Sequence, residues 1–249
     1  MPRRERIKST TGIYHIMLRG INRQVIFEDR EDNEKFLDIL MECKTISGYT
    51  IFAYCLMNNH VHLLMKEGTE ELQTIFKRIG GRYVYWYNGK YSRNGHLFHD
   101  RYMSEAVETE EYIYTVIRYI HQNPVKAGIV ENAEDYPYSS YGEYIGMQAG
   151  QLTDIGIAYD LFEREAFMEY HKIPNTDKCL EIGKESPRMT DGQAKEAILK
   201  ISKCKNATEF QSLDAIKRTD YLRSLKNEGA SIRQLSRLTG VSFGIVRKA

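Results

Sequence analysis

Cysteine is scarce in this 249-residue sequence and spaced badly for chemistry. Cys43, Cys55, Cys179 and Cys204 form no CxxC pair, which argues against a thiolate zinc site and a disulfide framework. Any metal would have to use histidine, amide or carboxylate ligands. Long apolar runs are missing too, since none approaches the roughly 18 residues that cross a bilayer. The basic start, Met1 to Lys8, is not followed by the apolar core of a signal peptide, so the chain is expected in the cytoplasm, with no membrane partner. No glycine-rich P-loop is present, which removes the usual cradle for a nucleoside triphosphate.

Net charge is low as well, at +1, but it is unevenly spread. From Ser186 to Ala249 there are 13 Lys+Arg against 6 Asp+Glu, a difference of +7. Residues 145–185 carry 4 against 8, or −4, which leaves −2 for residues 1–144. A basic C-terminal module on a nearly neutral body fits a nucleic-acid-binding appendage, although a solvated helical surface has the same charge.

What is present begins with a β-former run, residues 13–19. Apolar pairs at helical spacing, Phe36 with Leu40 and Leu37 with Met41, predict a helix over 31–47. Residues 50–57 and 60–65 predict two strands joined by a tight turn at Asn58-Asn59. A second helix is expected over about 70–87, ended by Asn88-Gly89, and a fourth strand over 97–107. Thr109 can cap a third helix that ends at Asn123-Pro124. This order predicts an α+β fold: a ferredoxin-like antiparallel sheet with helices on one face, followed by a C-terminal all-helical domain. The expected division is a catalytic domain over 1–144, a helical extension and linker over 145–190, and a helical DNA-binding domain over 191–249.

His60-Val61-His62 opens the third strand. Residues i and i+2 of a strand share a face about 7 Å apart, so two imidazoles could converge on one divalent ion. Alone the pair is a weak signal, more often structural than a ligand set. On the third helix Tyr119 and Asn123 lie four apart, on one helical face. Asn123 is the candidate amide ligand, and Gln122 competes with it. His121 lies about 200° around the helix from Tyr119 and is expected to face elsewhere. With 18 tyrosines in the chain, Tyr119 alone proves little, and Tyr112, two turns earlier, is its nearest rival.

The segments Met57-Asn-Asn-His-Val-His-Leu-Leu64, Gly95-His-Leu-Phe-His-Asp-Arg101 and Arg118-Tyr-Ile-His-Gln-Asn-Pro-Val-Lys-Ala-Gly128 resemble the single-tyrosine HUH transposases, in particular the REP-associated tyrosine transposases. The resemblance covers roughly residues 8–144. It implies that His60 and His62 are metal ligands, Asn123 the third ligand and Tyr119 the nucleophile. The turn before the histidines, Asn58-Asn59, departs from the Pro-Asn common in that family. The implied activity is Mg²⁺- or Mn²⁺-dependent cleavage and transfer of single-stranded DNA, usually beside a hairpin, through a 5′-phosphotyrosine. A homodimer and a nucleoid-associated location are implied too. Arg101 is a candidate phosphate contact and Phe98 a candidate base-stacking residue, each with a structural role as the alternative.

Residues 230–246 have the pattern of a helix-turn-helix, with Gly240 at the turn and Ser242 placed to cap the second helix. That helix would present Arg247 and Lys248 to double-stranded DNA. The alternative function is a DNA-binding regulator with an inactive nuclease domain. A phosphoesterase without covalent catalysis would need another histidine where Leu64 stands.

Overall fold

The computed structural model describes residues 7–99, 101–148, 150, 152–160, 163–174, 179–180 and 189–249. Four strands, β1 (Ile13–Arg19), β2 (Thr50–Met57), β3 (His60–Lys66) and β4 (Met103–Ala106), form one antiparallel sheet in the order β2-β3-β1-β4. Helix α1 (Arg30–Ser47) links β1 to β2, and α2 (Leu72–Lys90) links β3 to β4. Asp29 starts α1 with a reciprocal capping box to Asp32, and Gly48, at φ +65°, ends it in the left-handed region that glycine adopts without strain.

Strand alternation divides the interior into two layers. Tyr14, Ile16 and Leu18 of β1 and Val61, Leu63 and Met65 of β3 point to the face that α1 and α2 cover. The opposite face carries Ile13 and Leu64, and is covered by α3 (Glu110–Lys126) through Ile113, Val116, Ile117 and Ile120. The expected α+β sheet is present, but its helices occupy both faces. Only the crossover helices α1 and α2 share a side, because α3 has an apolar face of its own to bury. On β2 the register shifts between Ile51 and Ala53, a bulge that sends Phe52 and Ala53 together into the α3 layer.

Three boundaries differ from the sequence expectation. The fourth strand is confined to Met103–Ala106, with an isolated bridge from Gly20 to Phe98 in place of its first half. Helix α2 runs through Asn88-Gly89 to Lys90, whose ammonium binds Asp29 and Asp32 at 2.8 and 2.9 Å and so ties the last turn to α1. Helix α3 continues through Pro124 to Lys126. An interior proline costs about 3 kcal/mol, but here it sits two residues from the helix end, where few bonds depend on it. The Asn123 side-chain amide also donates to the Tyr119 carbonyl at 2.9 Å, beside the bond that proline removes.

After α3 come α4 (Tyr141–Tyr144), α5 (Gly156–Tyr159) and α6 (Arg164–Lys172). Tyr144, Ala158 and Phe167 of these helices enter the same layer as α3. The span expected as a linker, 172–190, falls mostly outside the described residues. The chain divides into two compact units, Met1–Ile21 with Ile26–Gly183, and Asn22–Val25 with Lys184–Ala249.

The second unit contains α7 (Asp191–Ser202), α8 (Ala207–Gln211), α9 (Ala215–Asn227), α10 (Ile232–Thr239) and α11 (Phe243–Lys248). Ile198, Phe210, Leu222, Leu225, Leu235 and Val246 build its own core. Gly240 turns between α10 and α11 at φ +68°, where a Cβ would run into Gln211. Ser242 holds the N-cap position of α11 but makes no side-chain capping bond. Among the described residues no helix is long and apolar enough to cross a membrane.

Candidate functional site

The α3 layer is not wholly apolar. Beside Ile13 and Leu64, the same sheet face carries His15, His60 and His62. Arg19 pairs with His60, Met17 with His62 and His15 with Leu64, so His15 and His62 are diagonal neighbours. Their ring centroids are 5.1 Å apart, and those of His60 and His62 5.0 Å. The Tyr119 ring meets both His15 and His62 edge-on at 5.6 Å. The structure therefore brings three of the expected residues, His60, His62 and Tyr119, into one cluster and adds His15.

Each histidine of the motif has one ring nitrogen engaged. His60 Nδ1 lies 2.7 Å from Asn59 Oδ1, and His62 Nδ1 lies 3.0 Å from His15 Nε2. Neither Nε2 has a hydrogen-bond partner among the described residues. Burial pushes the His60 imidazole down to about 4. It holds His62 well below the ordinary histidine range, with His60 and His15 adding to the effect. Both rings are neutral at pH 7, the form that can ligate a metal.

The amides behave differently from each other. Gln122 spends its Nε2 on the carbonyls of His171 and Ile173, at 2.6 and 2.8 Å, and is thereby turned to the α6 side. Asn123 uses Nδ2 on the Tyr119 carbonyl, which leaves Oδ1 as its lone-pair atom. Among the described residues no three of His, Cys, Asp and Glu are grouped to hold a metal. The candidate donors are two imidazole Nε2 atoms on one sheet face and, on α3, the Asn123 amide oxygen. Imidazole suits borderline divalent ions and the amide oxygen harder ones, and neutral ligands leave the ion its full charge.

Tyr119 is buried at 1% exposure, and its hydroxyl donates to the Leu180 carbonyl at 3.5 Å. The Lys126 ammonium sits 4.8 Å from its ring centroid. Tyr112, the rival, has its hydroxyl pushed far above the ordinary tyrosine range by burial, then by Cys179 and Glu105, and has no ring contact with the histidines. His121 faces away, as expected, bonding to His171 and Ser140 at 3.0 and 2.8 Å.

The remaining candidates are scattered. Arg101 is exposed just before β4. Phe98 packs against the core of the opposite layer, 6.2 Å from the Tyr83 ring, because its bridge to Gly20 turns it inward. It is half-buried there rather than part of the core itself. Arg247 and Lys248 are exposed on α11, in the second unit. Sequence reasoning missed His15, Glu105, Asn59 and Lys126. Asn59 and Lys126 lie inside the quoted motif segments without a role of their own, and His15 shows only as a polar residue within a β-former run.

Comparison with known proteins converges on the first unit. Residues 8–123 match the family model described as "Transposase IS200 like", a span that includes His60, His62, Tyr119 and Asn123. The chain is 30% identical over 101 residues to a REP-associated tyrosine transposase assignment in Haemophilus influenzae, covering 36% of this chain and 57% of that protein. The chain thus spans little more than half the length of that relative. It is 24% identical over 161 residues to the REP-associated tyrosine transposase of Escherichia coli, covering 61% of this chain and 92% of that protein. A solved structure of a REP-associated tyrosine transposase bound to a REP hairpin superposes with TM-score 0.52 at 19% identity, over 62% of this chain and 94% of that one. That likeness shows the fold.

Proposed function

We propose, from the premise that residues 8–123 of this chain belong to the IS200-like transposases, that the protein cuts and rejoins single-stranded DNA beside a hairpin with Tyr119 as nucleophile. The observation that carries this reading is the contact of Tyr119 with His62, in a cluster where His60 and His62 each keep Nε2 unengaged.

His60 and His62 would hold a divalent ion, Mg²⁺ or Mn²⁺, through Nε2, and Asn123 through Oδ1. Bound there, such an ion supplies Lewis-acid polarisation of a non-bridging phosphate oxygen. The Tyr119 hydroxyl leaves the Leu180 carbonyl and gives its proton to a water molecule. The Tyr119 oxygen then bonds to phosphorus as the bond to the 3′-oxygen breaks, and that oxygen takes up a proton to become a free 3′-hydroxyl. Attack by another 3′-hydroxyl reverses these steps and restores the tyrosine, with no nucleotide triphosphate needed.

Exposed Arg101 would meet a phosphate of the single strand. In the second unit, α10 and α11 would act as a helix-turn-helix, with Arg247 and Lys248 on double-stranded DNA. REP hairpins are what the solved relative binds, and a hairpin is the first substrate to try.

The test uses the full chain, Mn²⁺ and a labelled hairpin-bearing single strand on a denaturing protein gel. A DNA–protein adduct is expected, and it should vanish in Tyr119→Phe. Cleavage without an adduct would sink covalent catalysis. No cleavage across varied hairpins would leave the DNA-binding regulator as the better reading.

A further inference from the structure

His15 and Glu105 have no part in the proposed reaction, yet they stand directly behind the metal-binding histidines. His15 on β1 pairs with Glu105 on β4, so their side chains share the sheet face that carries His62. His15 is fully buried, with Nε2 3.0 Å from His62 Nδ1. Its other nitrogen, Nδ1, lies 3.8 Å from Glu105 Oε2. Both of those atoms are buried, and among the described residues neither has a hydrogen-bond partner. Two orphaned polar atoms facing each other, one on either side of a short gap, mark a pair built to interact.

We infer that Glu105 and His15 are positioning residues that fix the proton of His62 on Nδ1 and so present its Nε2 lone pair. The inference rests on the reading that His60 and His62 hold a divalent ion. The proton logic runs from the carboxylate inwards. An ionised carboxylate only accepts, so it selects the His15 tautomer protonated on Nδ1. His15 Nε2 then carries a lone pair and must accept from His62 Nδ1–H. That leaves His62 Nε2 unprotonated, which ligation requires.

The reverse arrangement would put the proton of His62 on the ligating nitrogen. It would also set two lone-pair atoms, His15 Nδ1 and Glu105 Oε2, against each other in a dry site. At His60 the Asn59 amide oxygen accepts from Nδ1–H and gives the same result. The five residues together present two lone pairs, those of His60 and His62 Nε2, on one sheet face. The His15 ring also touches Tyr119, so displacing it would disturb ligand and nucleophile at once.

The test begins with ¹⁵N-labelled, metal-free full-length protein, using long-range ¹H–¹⁵N correlation of the histidine rings at neutral pH. His62 should be protonated on Nδ1 and bare on Nε2, and a proton on Nε2 overturns the inference. In Glu105→Gln the new amide can donate to His15 Nδ1, which releases the relay. The Nε2–H form of His62 should then appear, and Mn²⁺ affinity, measured by calorimetry, should fall by about 10- to 100-fold. Glu105→Asp keeps an acceptor and should recover most of that loss. A Glu105→Gln protein with the wild-type tautomer and affinity overturns the inference as well. Failure of the metal reading would look different: wild-type protein with the expected tautomer but no Mn²⁺ binding.

Discussion

Tyr119 and His121 are two residues apart on α3: Tyr119 meets the buried pair His15 and His62, and His121 forms a second buried pair with His171. The pairs match in outline. His15 and His62 approach to 3.0 Å, as do His121 and His171, and both sets of ring centroids are 5.1 Å apart. They differ in what remains unmet. His121 Nε2 reaches Ser140 Oγ at 2.8 Å and His171 Nδ1 reaches the Phe167 carbonyl at 2.8 Å, so all four nitrogens of that pair are engaged. Tyr144 and Phe167 pack around it. The other pair leaves His15 Nδ1 buried and, among the described residues, without a hydrogen bond, 3.8 Å from the Glu105 carboxylate. A buried polar group without a partner costs about 1–3 kcal/mol, so a saturated pair strengthens the fold while an unsaturated one weakens it. Unmet valence, rather than burial or proximity, is what distinguishes the pair proposed to serve the metal site from the saturated pair.

The strongest way to break this comparison is to truncate one member of each pair. His62→Ala should abolish Mn²⁺ binding and lower adduct formation by more than about 100-fold, beyond the range of an outer-shell partner. His121→Ala should leave Mn²⁺ affinity within about twofold while lowering stability to urea by about 2–4 kcal/mol, through lost packing and stranded partners. If His121→Ala lost metal as completely as His62→Ala, the two pairs would not differ in kind.

A smaller contrast lies in the amides on α3. Asn123→Ala should weaken Mn²⁺ binding by about tenfold, the loss of one neutral ligand. Gln122→Ala should leave it nearly unchanged, since the Gln122 amide already serves two carbonyls on the α6 side. The opposite ranking in a Mn²⁺ titration would transfer the ligand role to Gln122.

Acid should have the least discriminating effect, because burial lowers histidines in both regions, His60 included although it stays partly exposed. Burial pushes His60 and His171 alike down to about 4. As pH falls, the unfolded chain binds protons from about 6.5, whereas the folded chain resists until about 4. Stability should therefore decline across that window and level off below it. Mn²⁺ affinity should stay flat from pH 8 to about 5.5, where a solvated imidazole would already lose it. Urea midpoints and Mn²⁺ titrations at each pH check both statements, and a metal midpoint near 6.5 would contradict a dry site.

Much of this site was legible from spacing. The two-residue period put His60 and His62 on one face, and the helical period put Tyr119 with Asn123 and turned His121 away. Boundaries were less legible where long-range contacts overruled local signals. Asn88-Gly89 lies inside α2 because Lys90 is tied to α1, and Pro124 lies inside α3 because the helix has almost ended. Phe98, a stacking candidate from its motif, is half-buried against the core under α1 and α2, a contact its motif does not show.

The sequence by itself determined the local periods: which strand residues share a face, which helix residues share a side, and hence which groups can act together. Tertiary structure alone decided which faces meet. Apolar burial drew α3 onto the sheet face opposite α1 and α2, where the strand order places β1 between β3 and β4. That order sets His15 between His62 and Glu105, three residues far apart in the chain that no local pattern connects. Side-chain period is a property of the backbone and can be read from a segment. The neighbour across a sheet depends on strand order, which only the packed core selects.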